Sequence, residues 1–225
     1  MTKEEFLPTL SPKAQNIVQE NLKLFHNNKT FQVFHSNESK VLIQSNSDYM
    51  IYIKNNSPED TFLHEFFHCV QHETGFPSLI YTVQQYEDLS TSVNSLILDL
   101  DIMERLENYG YTKHLKSIKK AVKMSTKLLR FIQQFNDKEE LTNLYDIIGL
   151  VGFMLNSDIK NIKNSELSVL IKNTRPEALK YYSVFSECIK LYPYNTPDGV
   201  NNIFHYLLEN LEFSSFMKIQ THCTN

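Results

Sequence analysis

The stretch TFLHEFFHCVQH, residues 61–72, contains HEFFH, an instance of the pattern H-E-x-x-H. In an α-helix, residues four positions apart share one face, so His64 and His68 can reach the same metal ion. Two imidazoles at this spacing suit zinc, and Glu65 beside them can accept a proton from a water molecule at the metal. The stretch therefore predicts a metal-binding helix with His64 and His68 as ligands and Glu65 as general base.

The residues around this motif favour a buried helix. Apolar side chains recur at i, i+3, i+4 and i+7 and form one stripe, which consists of Leu63, Phe66, Phe67 and Val70. Upstream, Ser57-Pro58-Glu59-Asp60 supplies an N-cap, a proline in the first turn and two acids that suit a helix N-terminus. Histidines on a buried helix need polar partners, so a metal site competes with core histidines that are held by hydrogen bonds.

The sequence before the motif predicts one helix and a small sheet. Ser11-Pro12 begins an amphipathic helix that ends before Asn27-Asn28. Three β-branched and aromatic runs follow, at residues 31–34, 41–44 and 49–53, separated by turns rich in Asn and Ser. The last run leads within a few residues into the HEFFH helix. We therefore expect a small antiparallel or mixed sheet against which that helix packs.

The sequence after the motif predicts helices only. Gly75-Phe76-Pro77 ends the HEFFH helix, and a second helical run that carries several acids extends over residues 83–108 before Gly110. Apolar periodicity predicts further helices at residues 115–132 and 141–155, and Pro176 and Pro197 each begin another. The expected fold is α+β, with a metal-binding part at residues 1–110 and an all-helical part at residues 111–225 packed on it.

A zinc site with two histidines needs at least one more protein ligand. The H-E-x-x-H-x-x-G-x-x-H pattern is excluded, because its third His position is occupied by Thr74. The nearest acids on the following helix are Glu87, which we rank first as third ligand, and Asp88, which is the alternative. Acids further along the same helix also stay open, namely Asp99, Asp101 and Glu104.

HEFFH followed by an acid at the distance of Glu87 resembles the gluzincin branch of the zincin metallopeptidases, in which the third ligand is usually Glu. The chain also looks like the minimal ImmA/IrrE-type metallopeptidase domains. The resemblance implies a helix, a small mixed sheet, the H-E-x-x-H helix and an acid-bearing helix, in that order. It further implies a Zn²⁺ cofactor, peptide-bond hydrolysis, and a peptide or protein substrate extended beside the strand at residues 49–53.

In such a reaction Glu65 accepts the proton of the attacking water and passes it to the leaving nitrogen. A further donor for the tetrahedral intermediate is expected from a Tyr or His outside the two metal helices. The candidates, which spacing does not separate, are Tyr109, Tyr111, His114, Tyr181, Tyr182 and His205. His72 and Asn94 are candidates for outer positions, where a side chain orients a ligand rather than binding the metal.

Composition limits the other function classes. The 225 residues carry a formal net charge of -4, so no general nucleic-acid binding is expected. The acidic N-terminus lacks the features of a signal peptide, and the longest apolar run, residues 147–155, is too short to span a bilayer. Three cysteines without C-x-x-C spacing argue against disulfides, and Cys69 is expected to be a buried thiol. These features predict a cytoplasmic protein with no membrane partner.

Three interpretations remain open. The first is a cytoplasmic zinc peptidase, and the second is a catalytically silent zinc-binding interaction protein whose helical part at residues 111–225 supplies the working surface. The third is an effector protease delivered to another cell. Glu65 favours an enzyme over the silent protein, because a structural zinc site has no use for an acid there. A lysine stripe at Lys116, Lys120, Lys123 and Lys127 is interpreted as a solvated helix face.

Overall fold

The structure is a computed structural model that describes residues 1–27, 29–42, 48–135, 143–162 and 165–221. Helices predominate and the sheets are small, which confirms the α+β class. Leu141, Cys223 and residues 43 and 44 of the second predicted strand run lie outside the described residues. Within the described ranges, no helix has both the length and the apolar character that crossing a bilayer requires.

The described residues of the first part of the chain form three α-helices and a three-stranded sheet. In chain order these elements are α1 Lys3–Phe6, α2 Pro12–Leu22, β1 Phe31–Ser36, β2 Lys40–Leu42, β3 Tyr49–Lys54 and α3 Glu59–Glu73. Helix α2 begins as predicted, because the Ser11 side chain accepts a hydrogen bond from the Ala14 N–H and Pro12 occupies the first turn. Helix α3 carries HEFFH, and its N-cap position is occupied by Pro58 instead of Ser57, without a side-chain cap.

The remaining elements are mostly helices. They are β4 Ser78–Tyr81, α4 Glu87–Asn108, α5 Lys113–Phe135, α6 Leu144–Ile159, α7 Ser165–Thr174, α8 Glu177–Leu191, α9 Pro197–Asn210 and β5 Met217–Gln220. Strands β4 and β5 pair antiparallel, with Leu79 opposite Ile219. The expectation that residues 111–225 are all helical was therefore wrong at β5. A four-residue strand is too short to carry a period, and its hydrogen bonds come from a partner distant in sequence.

The three-stranded sheet is mixed and has β3 at its centre. Strand β1 pairs parallel with β3, and β2 pairs antiparallel with the other side of β3. Alternate residues of β3, namely Tyr49, Ile51 and Ile53, are buried. This period of two directs one face of the sheet towards the core that contains α3.

Helix α3 is nearly surrounded by its core. The predicted apolar stripe is buried, since Leu63, Phe66, Phe67 and Val70 are each at most 1% exposed. Ile102 and Leu106 of α4 belong to the same core, and Tyr109, just after α4, stacks on the ring of Phe67. The C-terminal turns of α4 are therefore fixed beside α3 by apolar contacts.

The chain divides into two compact units that interleave along the sequence. The first is built mainly from Met1–Pro77 and Ile102–Tyr111, and the second from Ser78–Asp101 and Thr112–Gln220. Helix α4 is continuous and contributes to both. The sequence-based expectation was a single division between residues 110 and 111, whereas these two units alternate along the chain.

Candidate metal centre

Three side chains that can bind a metal converge at the HEFFH helix. They are His64, His68 and Asp99, and their ligand atoms all lie within 4.8 Å of one another. Each of the three is half-buried, so the cluster is neither sealed in the core nor fully exposed. The set offers two imidazole nitrogens and one carboxylate, which is the composition of many sites that bind zinc through three protein ligands.

The two histidines have the arrangement that the motif predicts. Both belong to α3, and their ring centroids are 5.0 Å apart with the ring planes 82° from parallel. Rings on successive turns of one helix face can direct one nitrogen each towards a common point. His64 and His68 are therefore brought together as expected, and the local helix alone is sufficient to do it.

Asp99 comes to the cluster on helix α4. It lies three residues before Ile102, which is fully buried in the core shared with α3. Because α4 is continuous here, the packing of Ile102 and Leu106 fixes the position of the preceding helical turn, and Asp99 lies in that turn. The Oδ1 atom of Asp99 is shielded from solvent. Asp99 is one of the acids beyond Glu87 and Asp88 that the sequence left open as possible third ligands.

Glu87 and Asp88, the preferred third ligands, are not part of this cluster. Both lie in the first turn of α4 and are exposed, and Glu87 accepts a hydrogen bond from the Gln84 side chain. At a rise of 1.5 Å per residue, Glu87 is about 18 Å from Asp99 along the helix axis. The structure brings Asp99, and not Glu87, to the two histidines, because tertiary packing sets which turn of α4 lies nearest to them. Which acid binds a metal stays a prediction.

Glu65 occupies a buried position next to the cluster in sequence. It follows His64 directly, precedes His68 by three residues, and is 8% exposed. Charged carboxylates are seldom placed in such surroundings without a polar role. Its neighbour one turn later, Cys69, is fully buried as predicted, and burial raises the pKa of its thiol.

A second polar network lies at the C-terminal end of α3. The hydroxyl of Tyr49 donates a hydrogen bond to Glu73 and lies 2.7 Å from Nδ1 of His72. Glu73 also accepts a hydrogen bond from the backbone N–H of His26 at 2.8 Å and pairs with Lys29 at 3.1 Å. His72 is therefore connected to the sheet through Tyr49, and sequence spacing gave no indication of these distant partners.

The electrostatics of this network favour an ionised Glu73. Burial by itself raises the pKa of Glu73, but hydrogen bonds from Tyr49, His26 and Lys29 outweigh burial and lower it to about 2. Burial and the hydrogen bond to Glu73 both raise the pKa of Tyr49. Since a phenol has one hydrogen and Tyr49 donates it to Glu73, the proton between Tyr49 and His72 belongs to Nδ1 of His72.

Several predicted auxiliary residues have other partners. Asn94, expected to orient a ligand, donates to Leu79 O and accepts from Leu79 N, both at 2.7 Å, and so holds β4. The Tyr111 hydroxyl donates to Glu59 at 2.8 Å, and that of Tyr182 donates to Asp158. Tyr181 stacks on the Phe213 ring, and His205 is exposed. These contacts occupy the hydroxyls of Tyr111 and Tyr182 and do not single out a donor for a reaction intermediate.

The strand expected to hold a substrate is not available for pairing. Strand β3, which contains residues 49–53, is hydrogen-bonded to β1 on one side and to β2 on the other. A peptide cannot add to a central strand, because its backbone groups already have partners. The expectation of a substrate beside β3 was therefore wrong.

No protein-family model, curated protein or solved structure matches this chain. The arguments for its function therefore come from the residues themselves. The donor set of His64, His68 and Asp99 fits a divalent transition metal, and zinc suits two imidazoles and one carboxylate, as iron, manganese or cobalt also can.

Proposed function

We propose that this protein is a zinc-dependent peptidase in which His64, His68 and Asp99 bind the metal and Glu65 is the general base. The observation that supports this proposal is the convergence of a carboxylate from α4 on the two motif histidines of α3. Nothing in the local helix requires a third ligand-type side chain at that point. Its presence there supports a metal site over two core histidines.

The number and exposure of the ligands favour catalysis over a structural role. Among the described residues the cluster has three members, and a catalytic zinc site uses three protein ligands with one position open. All three are partly exposed, so water and a substrate carbonyl can approach. A structural site is instead closed by four protein ligands.

The chain's residues then divide the reaction between them. A zinc ion held by His64, His68 and Asp99 would lower the pKa of a bound water molecule to roughly 7 and polarise the substrate carbonyl. Glu65 accepts a proton from the attacking water as the water oxygen forms a bond to the carbonyl carbon of the substrate. Glu65 then delivers that proton to the leaving nitrogen as the C–N bond breaks. The second proton of the water stays on the new carboxyl group, so the products are a carboxylic acid and an amine, which ionise to carboxylate and ammonium at neutral pH.

The test uses the full chain, supplied with zinc and then dialysed. Elemental analysis measures bound metal, and mass spectrometry of a peptide library measures hydrolysis. We expect one zinc per chain in the wild type. We expect Glu65→Gln to retain zinc while hydrolysis falls about 10²- to 10⁴-fold, the usual contribution of a general base. His68→Ala is expected to lose both metal and hydrolysis.

Two outcomes contradict the peptidase. Zinc binding by the wild type without hydrolysis of any library member favours the silent interaction protein. Absence of metal from zinc-supplied wild type overturns both zinc functions and leaves His64 and His68 as core histidines. Retention of full hydrolysis by Glu65→Gln removes Glu65 from the mechanism.

A further inference from the structure

Helix α5 exposes a cationic face that the proposed function does not use. Residues Lys113–Phe135 include seven basic residues and no acid, whereas the whole chain has a net charge of -4. Six of them are exposed lysines, namely Lys113, Lys116, Lys119, Lys120, Lys123 and Lys127. At 100° per residue these lysines occupy about 120° of the helix circumference. The seventh basic residue, Arg130, pairs with Glu166 of α7.

An exposed apolar stripe lies directly beside this cationic face. Met124 is 60% exposed, Leu128 is 37% exposed and Phe131 is 51% exposed. These residues are spaced i, i+4 and i+7, so they follow one another along the helix within about 60° of its circumference. The face that packs on the protein's own core is a different one and includes Val122, Leu129 and Ile132.

The combination is informative because each half alone has an ordinary explanation. Lysines alone are typical of a solvated helix, which is how the sequence was interpreted. Along a helix about 35 Å long, an apolar stripe bordered by lysines is complementary to a flat surface whose outer layer is anionic and whose interior is apolar. A convex helix face of this kind offers no groove for an acidic peptide, whereas a lipid surface conforms to it.

We propose that α5 docks this protein on membrane surfaces that contain anionic lipids. Met124, Leu128 and Phe131 enter the boundary between headgroups and acyl chains, and the lysines contact lipid phosphates and carboxylates. This is peripheral attachment, and it departs from the sequence-based expectation of no membrane partner. The proposal is independent of metal binding, because none of these residues belongs to the metal cluster.

Co-sedimentation of the full-length protein with lipid vesicles tests the proposal. We expect binding to vesicles of phosphatidylcholine mixed with phosphatidylserine, weakening as salt is raised, and little binding to phosphatidylcholine alone. A variant with Lys116→Gln, Lys120→Gln and Lys123→Gln is expected to bind about a hundredfold more weakly. A second variant, Met124→Ser with Leu128→Ser, is expected to lose binding while keeping all its charges.

A matched control removes the same charge elsewhere. Lys54, Lys180 and Lys190 are exposed lysines outside α5, and changing all three to Gln is expected to leave vesicle binding within about twofold of wild type. Circular dichroism checks that every variant folds. Equal loss in the control and in the α5 variant overturns the proposal, as does failure of wild type to bind at low salt. Binding of poly-glutamate without vesicle binding overturns it in favour of an acidic protein partner.

Discussion

The hydroxyl of Tyr49, the first residue of the central strand, donates a hydrogen bond to Glu73, the last residue of the helix that carries HEFFH. This contact joins the sheet to the C-terminal end of that helix. Tyr49 is 1% exposed and Glu73 is 4% exposed, so each would lack water as a replacement partner. The pair is therefore expected to stabilise the helix that positions His64 and His68.

Replacing Tyr49 by Phe removes the hydroxyl and keeps the ring. We expect the free energy of unfolding to fall by about 1–3 kcal/mol, because Glu73 and His72 each lose a hydrogen-bond partner in a buried environment. Urea denaturation followed by circular dichroism measures the change. The matched variant Tyr52→Phe alters a half-buried ring of the same strand and is expected to change stability by less. Equal effects would show that the hydroxyl of Tyr49 adds nothing.

Glu73 is expected to make stability depend on acid pH. Its pKa falls from 4.5 to about 2 on folding, so the folded state binds the proton less tightly than the unfolded state. The stabilisation is thus present above pH 4.5 and is lost as the pH falls towards 2, with an upper limit of about 3 kcal/mol.

Comparison of wild type with Glu73→Gln isolates this contribution. The variant is expected to be less stable at pH 7, with the difference shrinking as the pH falls below 4.5. Thermal unfolding over a pH series measures it. A difference that stays constant down to pH 2 would contradict a lowered pKa as the source.

Asp99 and Glu87 form a matched pair of acids on one helix. We expect Asp99→Asn to weaken zinc binding by more than about a hundredfold. Loss of a side chain that only orients a metal ligand weakens binding by up to about a hundredfold, and loss of a ligand itself should cost more. Glu87→Gln makes the same chemical change about 18 Å away along the helix and is expected to leave zinc affinity unchanged. Competition with a chromophoric chelator measures both. The reverse result would return the third-ligand role to Glu87.

Gly199 and Gly149 test packing in the second compact unit. A Cβ atom at Gly199, in the first turn of α9, would lie 1.8 Å from the carbonyl oxygen of Pro193. Gly199→Ala is therefore expected to destabilise by about 3 kcal/mol. At Gly149, inside α6, nothing lies within 4 Å of a Cβ atom, and Ala should stabilise the helix by about 0.5–1 kcal/mol. Denaturant titrations measure both, and a tolerated Gly199→Ala would show that the Pro193 turn relaxes.

Local sequence signals predicted much of the fold. The apolar stripe beside HEFFH, the Ser11 cap with Pro12, and Pro197 each identified a helix, because those signals act within one or two turns. The strands β1 and β3 were likewise recognisable from β-branched and aromatic runs. Strand β5 and helix α7 were missed, since one is short and the other is preceded by weak signals.

The sequence by itself determined that His64 and His68 share a helix face beside Glu65, because helical geometry fixes residues four apart. Tertiary structure alone decided which acid joins them. Helix α4 carries acids along its whole length, and packing of Ile102 and Leu106 in the core beside α3 brings Asp99, rather than Glu87, to the histidines. Tertiary structure also decided that β3 is a central strand and that Glu73 is held by Tyr49, His26 and Lys29. These are contacts between distant residues, and no local period encodes them.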